Sequence, residues 1–104
     1  MTIEKSSGNV YRDIGVADPE SMLIKSTIAI KIGDVIKNRG LTQQRAAEIM
    51  GISQPNLSAM LHGRFRGITE YKMLEYLVRL GISVTISLGN DLDDTPKKIE
   101  IAVA

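Results

Sequence analysis

The chain has 104 residues, a net charge of +1, 43% hydrophobic residues and no cysteine. That length holds one domain, and the lack of cysteine excludes disulfides and thiolate metal sites. No apolar run approaches the roughly 20 residues needed to span a bilayer. The polar stretch 1–8 lacks the apolar middle of a signal peptide, so the expected location is the cytoplasm, whose reducing conditions suit a Cys-free chain. The charge is uneven. Residues 37–79 carry seven basic and three acidic side chains, while 1–36 sum to −1 and 80–104 to −2. A cationic middle between mildly acidic ends is an electrostatic footprint that favours polyanionic partners.

Residues 1–17 contain Gly8 and Gly15 and no sustained periodicity, which predicts an N-terminal arm without a core role. Asp18-Pro19-Glu20 then reads as a helix start: an Asp cap, a Pro preset for the first helical position, and an acid at the positive end. Leu23, Ile24, Ile28, Ile32, Val35 and Ile36 recur at helical spacing, predicting a first helix over about 19–39 that closes at Gly40. A second helix follows the Thr42 cap, carries Ala46, Ala47, Ile49 and Met50, and stops at Gly51. A third starts at the Ser53 cap, tolerates Pro55 in its first turn, buries Leu57, Met60 and Leu61, and ends at Gly63. After the short linker 64–67, Thr69 caps a fourth helix with Met73, Leu74, Leu77, Val78 and Leu80 facing inward.

Beyond Gly81 the period changes to two. Val84, Ile86 and Leu88 alternate with Ser83, Thr85 and Ser87, and Ile99, Ile101 and Val103 alternate again after the turn-rich, acidic stretch 89–96. The expected organisation is therefore an arm (1–17), a helical domain (18–81) and a small C-terminal β-hairpin (82–104). An isolated hairpin is marginal in water, so this one needs a partner strand or another subunit.

Ala47, Gly51 and Leu57 stand at offsets of four and six across the second helix, the turn and the third helix. A small side chain lets two helices cross closely, Gly accepts a left-handed turn, and Leu anchors the third helix inward. Gln54, Asn56 and Ser58 then face outward. The stretches Leu41-Thr42-Gln43-Gln44, Ala46-Ala47, Gly51-Ile52-Ser53-Gln54, Leu57-Ser58 and Gly63 resemble the Xre/phage-repressor family of helix-turn-helix proteins over about residues 19–81. The chain is also similar to antitoxins of the Hig type through Asn9-Val10-Tyr11-Arg12-Asp13-Ile14-Gly15, Gly63-Arg64-Phe65-Arg66-Gly67 and Leu80-Gly81-Ile82-Ser83-Val84. The resemblance implies a mainly α, lambda-repressor-like bundle of four to five helices.

The resemblance also implies the DNA-contacting residues. Gln43 holds the position that braces a backbone phosphate, and Gln54 the position that reads a base. A Gln amide can pair bidentately with adenine, discriminating by about 1–3 kcal/mol. Pro55 stands where many relatives have a second polar reader, and it offers at most apolar contact to a thymine methyl. Ser58 fits a base or sugar contact, and Ser53, Asn56, Arg64 and Arg66 fit phosphates, which position the protein rather than specify the site. Each has a plainer role beside this one: capping or solvation for Gln43, Ser53 and Asn56, and a solvated loop for Arg64 and Arg66.

Nothing in the sequence reads as catalytic, and no cofactor is implied. His62 is the only histidine and sits at a helix end, a poor start for a triad or metal site. Asp91, Asp93 and Asp94 lack the Gly and terminal Glu of a calcium loop, so they read as a solvated turn. Met50, Met60 and Met73 read as core filling. The expected function is a homodimeric repressor on a palindromic operator in double-stranded DNA, entering the major groove. Within that class the flanking segments favour an antitoxin that represses its own operon and binds a small ribonuclease toxin. The alternative is an interaction module that keeps the helical fold and neutralises a partner without reading DNA.

Overall fold

The computed structural model describes residues 18–65, 67–90 and 93–104. The expected arm over 1–17 lies outside the described residues. Among them are four helices: α1 (Pro19–Asn38), α2 (Gln43–Met50), α3 (Gln54–Leu61) and α4 (Glu70–Arg79). Each begins at the cap the sequence marks. Asp18 accepts from the Glu20 N–H at 3.1 Å, Thr42 from Arg45 at 3.0 Å, Ser53 from Asn56 at 3.2 Å and Thr69 from Lys72 at 3.1 Å. These oxygens satisfy amide donors that have no partner within the helix.

α1 buries Ile24, Ile28, Ala29, Ile32, Val35 and Ile36 along one stripe, packing on α4 and α3; α2 packs on α3 and α4. Leu23, expected in that stripe, is 69% exposed because one residue's rotation carries it off the face centred on Ile28 and Ile32. Met50, Met60 and Met73 are fully buried, filling the centre as their flexibility suits. α4 differs from expectation at two positions: Tyr76 is buried and Val78 is 56% exposed. Phe65, in the linker before α4, is also part of the core.

Two polar ties fix α1 against α4. The Ser21 hydroxyl donates to Glu70 Oε2 at 2.7 Å at one end, and the Arg39 guanidinium donates to the Leu80 carbonyl at the other. The Ser21 hydrogen bond lowers the Glu70 carboxyl below its ordinary value, against the opposing effect of partial desolvation.

The hairpin expected over 82–104 is not formed. Among the described residues there is no strand, and 83–90 and 93–104 make no backbone–backbone hydrogen bond. Two strands alone gain too little to hold together, and the long acidic connector 89–96 is not a turn that dictates register. Of the alternating apolar residues only Val84 and Ile101 rest half-buried against the helical core, joined by Ile82, while Ile86, Leu88, Ile99 and Val103 are exposed. No helix among the described residues is long and apolar enough to cross a membrane.

Candidate nucleic-acid interface

α2, the turn at Gly51 and α3 pack together as one unit. Ala46 and Ala47 are buried where α2 meets its neighbours, and Leu57 and Met60 are completely buried beneath α3. Gly51 has φ +77° and ψ 31°, and its N–H donates to the Ala47 and Glu48 carbonyls at 2.8 and 3.2 Å. A side chain here would be strained by the backbone and would collide with the Arg79 guanidinium. Arg79 in turn donates to the Met50 carbonyl at 3.1 Å, so α4 braces the end of α2 from below. The sequence reading missed Arg79; its only signal there is a cation in the last turn of a helix.

With that scaffold set, Ser53, Gln54, Pro55 and Asn56 are all exposed at the start of α3, and Ser58 is half-buried one turn on. The Ser53 hydroxyl is engaged in capping the Asn56 N–H, which is the plainer of its two expected roles. Gln54 holds the first helical position and Pro55 the second, where the missing proline N–H leaves no helical bond unmade. Gln43 opens α2 and is half-buried, with Gln44 exposed beside it.

The first turns of α2 and α3 contain no acidic residue, whereas α1 and α4 start with Glu20 and Glu70. The positive ends of the two helices in the unit are therefore not offset by a local carboxylate, which favours an approaching anion. Arg45 is tied to Glu48 at 3.1 Å in an exposed pair of little energetic weight. Arg64 follows α3, exposed and without an ion pair among the described residues. Arg66 lies outside them. His62 points its Nδ1 at the Ser58 carbonyl at 2.7 Å, a helix-end contact. At the far end of the chain Asp93 engages the Thr95 N–H at 2.9 Å and Lys97 Nζ at 2.5 Å, a turn stabilised by its own lysine. Those two contacts hold the Asp93 carboxyl below its ordinary value.

Gln43, Ser53, Gln54, Pro55, Asn56 and Ser58 thus all belong to one two-helix unit, and Arg64 leaves from its end. α3 is exposed at its N-terminus and held from behind, and a helix about 10–12 Å across with its side chains fits the roughly 12 Å width of the DNA major groove. The class defined by this fold and face is the helix-turn-helix protein. Comparison with known proteins agrees: residues 10–89 match the family described as "Helix-turn-helix domain", and the chain belongs to that family. A solved chain described as "Putative XRE Family Transcriptional Regulator" superposes with a TM-score of 0.75 at 26% identity. The match covers 85% of this chain and all of that one. No curated protein matches this sequence.

Proposed function

We propose that the protein is a sequence-specific DNA-binding transcriptional repressor that presents α3 to the major groove. The observation that carries this reading is the exposed, acid-free start of α3 at Gln54, held by the buried Ala47 and Leu57 and by the turn at Gly51. Gln54 supplies the base contact, Gln43 and Asn56 steady the backbone, Ser58 lies within the groove face, and Arg64 and Arg66 add phosphate attraction. The likeness to a chain described as an XRE-family regulator supports the same reading. One α3 offers too few base contacts for operator-level specificity, so the working unit is a homodimer on a palindromic operator.

Within that class we propose an antitoxin that represses its own operon and neutralises a small ribonuclease toxin. Support comes from the segments flanking the two-helix unit, 1–17 and 82–104, which a bare reading head does not need. A second reading, an interaction module that does not bind DNA, is favoured by Pro55 at the second reader position and by the net charge of +1. A mobility shift on DNA from upstream of the protein's own gene separates the two. Binding at low salt that weakens steeply with added salt supports the regulator. No binding at low salt removes it and leaves the interaction module. Co-purification with the product of an adjacent gene tests the antitoxin role, and recovery of no small ribonuclease counts against it.

A further inference from the structure

The apolar faces of the C-terminal segment do not end where the core ends. Ile82, Val84 and Ile101 are half-buried against it, but Ile86 is 68% exposed, Leu88 91%, Ile99 70% and Val103 48%. Alternate residues of an extended chain share a face. Residues 82, 84, 86 and 88 therefore make one apolar ridge, and 99, 101 and 103 another, each seated partly on the core and partly in water. The backbone runs without a bend over 82–90 and again over 96–104, and no ladder joins the two arms. Gly89 of the first arm and Pro96, Lys97, Lys98 and Glu100 of the second instead border an open space of about 580 Å³. Lys31 on α1 donates to the Ala104 backbone oxygen at 3.2 Å, tying the second arm to the helical body.

We infer that these two arms are the docking surface for a second copy of this chain, the arms of both copies forming one shared sheet. An occupant must bring unpaired extended backbone, apolar alternation of the same length, and little charge opposite Ser83, Thr85 and Ser87. A second copy brings all three, and a two-fold contact makes the same surface self-complementary. Four arms also exceed the size at which a two-stranded ribbon is marginal, and pairing removes the exposed apolar edges that would otherwise promote aggregation. The inference rests on the homodimer proposed above and names the segment that makes it. The tail residues lie outside the two-helix unit that carries Gln54, and the test of the shared sheet needs no DNA.

The test is sedimentation equilibrium of the full chain at micromolar concentration, combined with amide hydrogen exchange. The expected mass is twice 11.4 kDa, with amides of 83–88 and 98–103 slowed on the order of 100-fold relative to unstructured chain. Ile86→Lys with Ile99→Lys, both at exposed positions, should halve the mass and restore fast exchange in the arms while the helical circular dichroism persists. A monomer overturns the inference, whether its arms exchange fast or are protected by an internal hairpin. So does a dimer whose arms exchange fast, or a double variant that stays dimeric with its arms protected. If the double variant does not fold, the wild-type mass and exchange pattern decide alone. A mobility shift then judges DNA binding separately, so failure of the shared sheet is distinguishable from failure of the regulator reading.

Discussion

Arg79 donates to the carbonyl of Met50, the last residue of α2, and its guanidinium occupies the space a side chain on Gly51 would need. The turn that sets the angle between α2 and α3 is thus enclosed twice, by its own left-handed backbone and by a cation from α4. Gly51→Ala should lose about 1–3 kcal/mol from the strained φ alone. Displacing Arg79 adds to that loss. In a domain this size the midpoint of thermal unfolding should fall by about 4–8 °C per kcal/mol. Arg79→Ala alone should cost about 1 kcal/mol through the lost hydrogen bond. Combining it with Gly51→Ala removes the collision, so the two losses should be less than additive. Urea denaturation of the two single variants and the double variant measures this; strict additivity would show that the contact does not matter.

Ser21 and Glu70 make the other testable tie, between the starts of α1 and α4. The folded-state carboxyl is lowered from its ordinary value of 4.5, chiefly by the Ser21 hydrogen bond. A lowered folded value means that the contribution is present above the unfolded value and is lost as pH falls through the folded one. Ser21→Ala should therefore cost about 0.5–1.5 kcal/mol near neutral pH. The gap between wild type and variant should narrow as pH drops below 4.5. Chemical denaturation at neutral and acid pH checks the sign; a gap that widens in acid would reject the assignment.

Phe65 looks like a linker residue in sequence yet is only 5% exposed. Phe65→Ala should cost about 3–5 kcal/mol, the range for emptying a buried aromatic site. Val78→Ala, at an exposed position, should cost under about 0.5 kcal/mol. Comparing the two by thermal unfolding tests whether the linker is core; equal small losses would mean Phe65 is dispensable.

These residues show where sequence reading succeeds and where it stops. Helix starts were legible because Asp18, Thr42, Ser53 and Thr69 act locally, through hydrogen bonds two or three residues away. The scaffold of the two-helix unit was legible because Ala47, Gly51 and Leu57 are demanded by one local geometry. Tyr76 and Val78 were not, since their burial depends on which face of α4 meets α1, and Phe65 was not, since a short linker has no periodicity to show which side chain turns inward. Arg79 was not, because its partner is 29 residues away. Over 82–104 only Val84 and Ile101 of the alternating apolar residues rest against the core, while Ile86, Leu88, Ile99 and Val103 are exposed, because alternation cannot say whether a strand has a partner at all.

The reading face gives the last prediction. Gln54 is exposed at the first position of α3, and the hydroxyl of its neighbour Ser53 is committed to the cap. Gln54→Ala should leave stability nearly unchanged while removing about 1–3 kcal/mol of discrimination at one base pair, a loss of specificity rather than of all binding. Arg64→Ala should act differently, weakening every sequence alike and lowering the slope of log affinity against log salt by about 0.9. Mobility shifts with matched and mismatched DNA, repeated across salt concentrations, separate the two patterns. If Gln54→Ala weakened all sequences equally and left the preference intact, Gln54 would be a positioning contact and the specificity would have to come from Asn56 or Ser58.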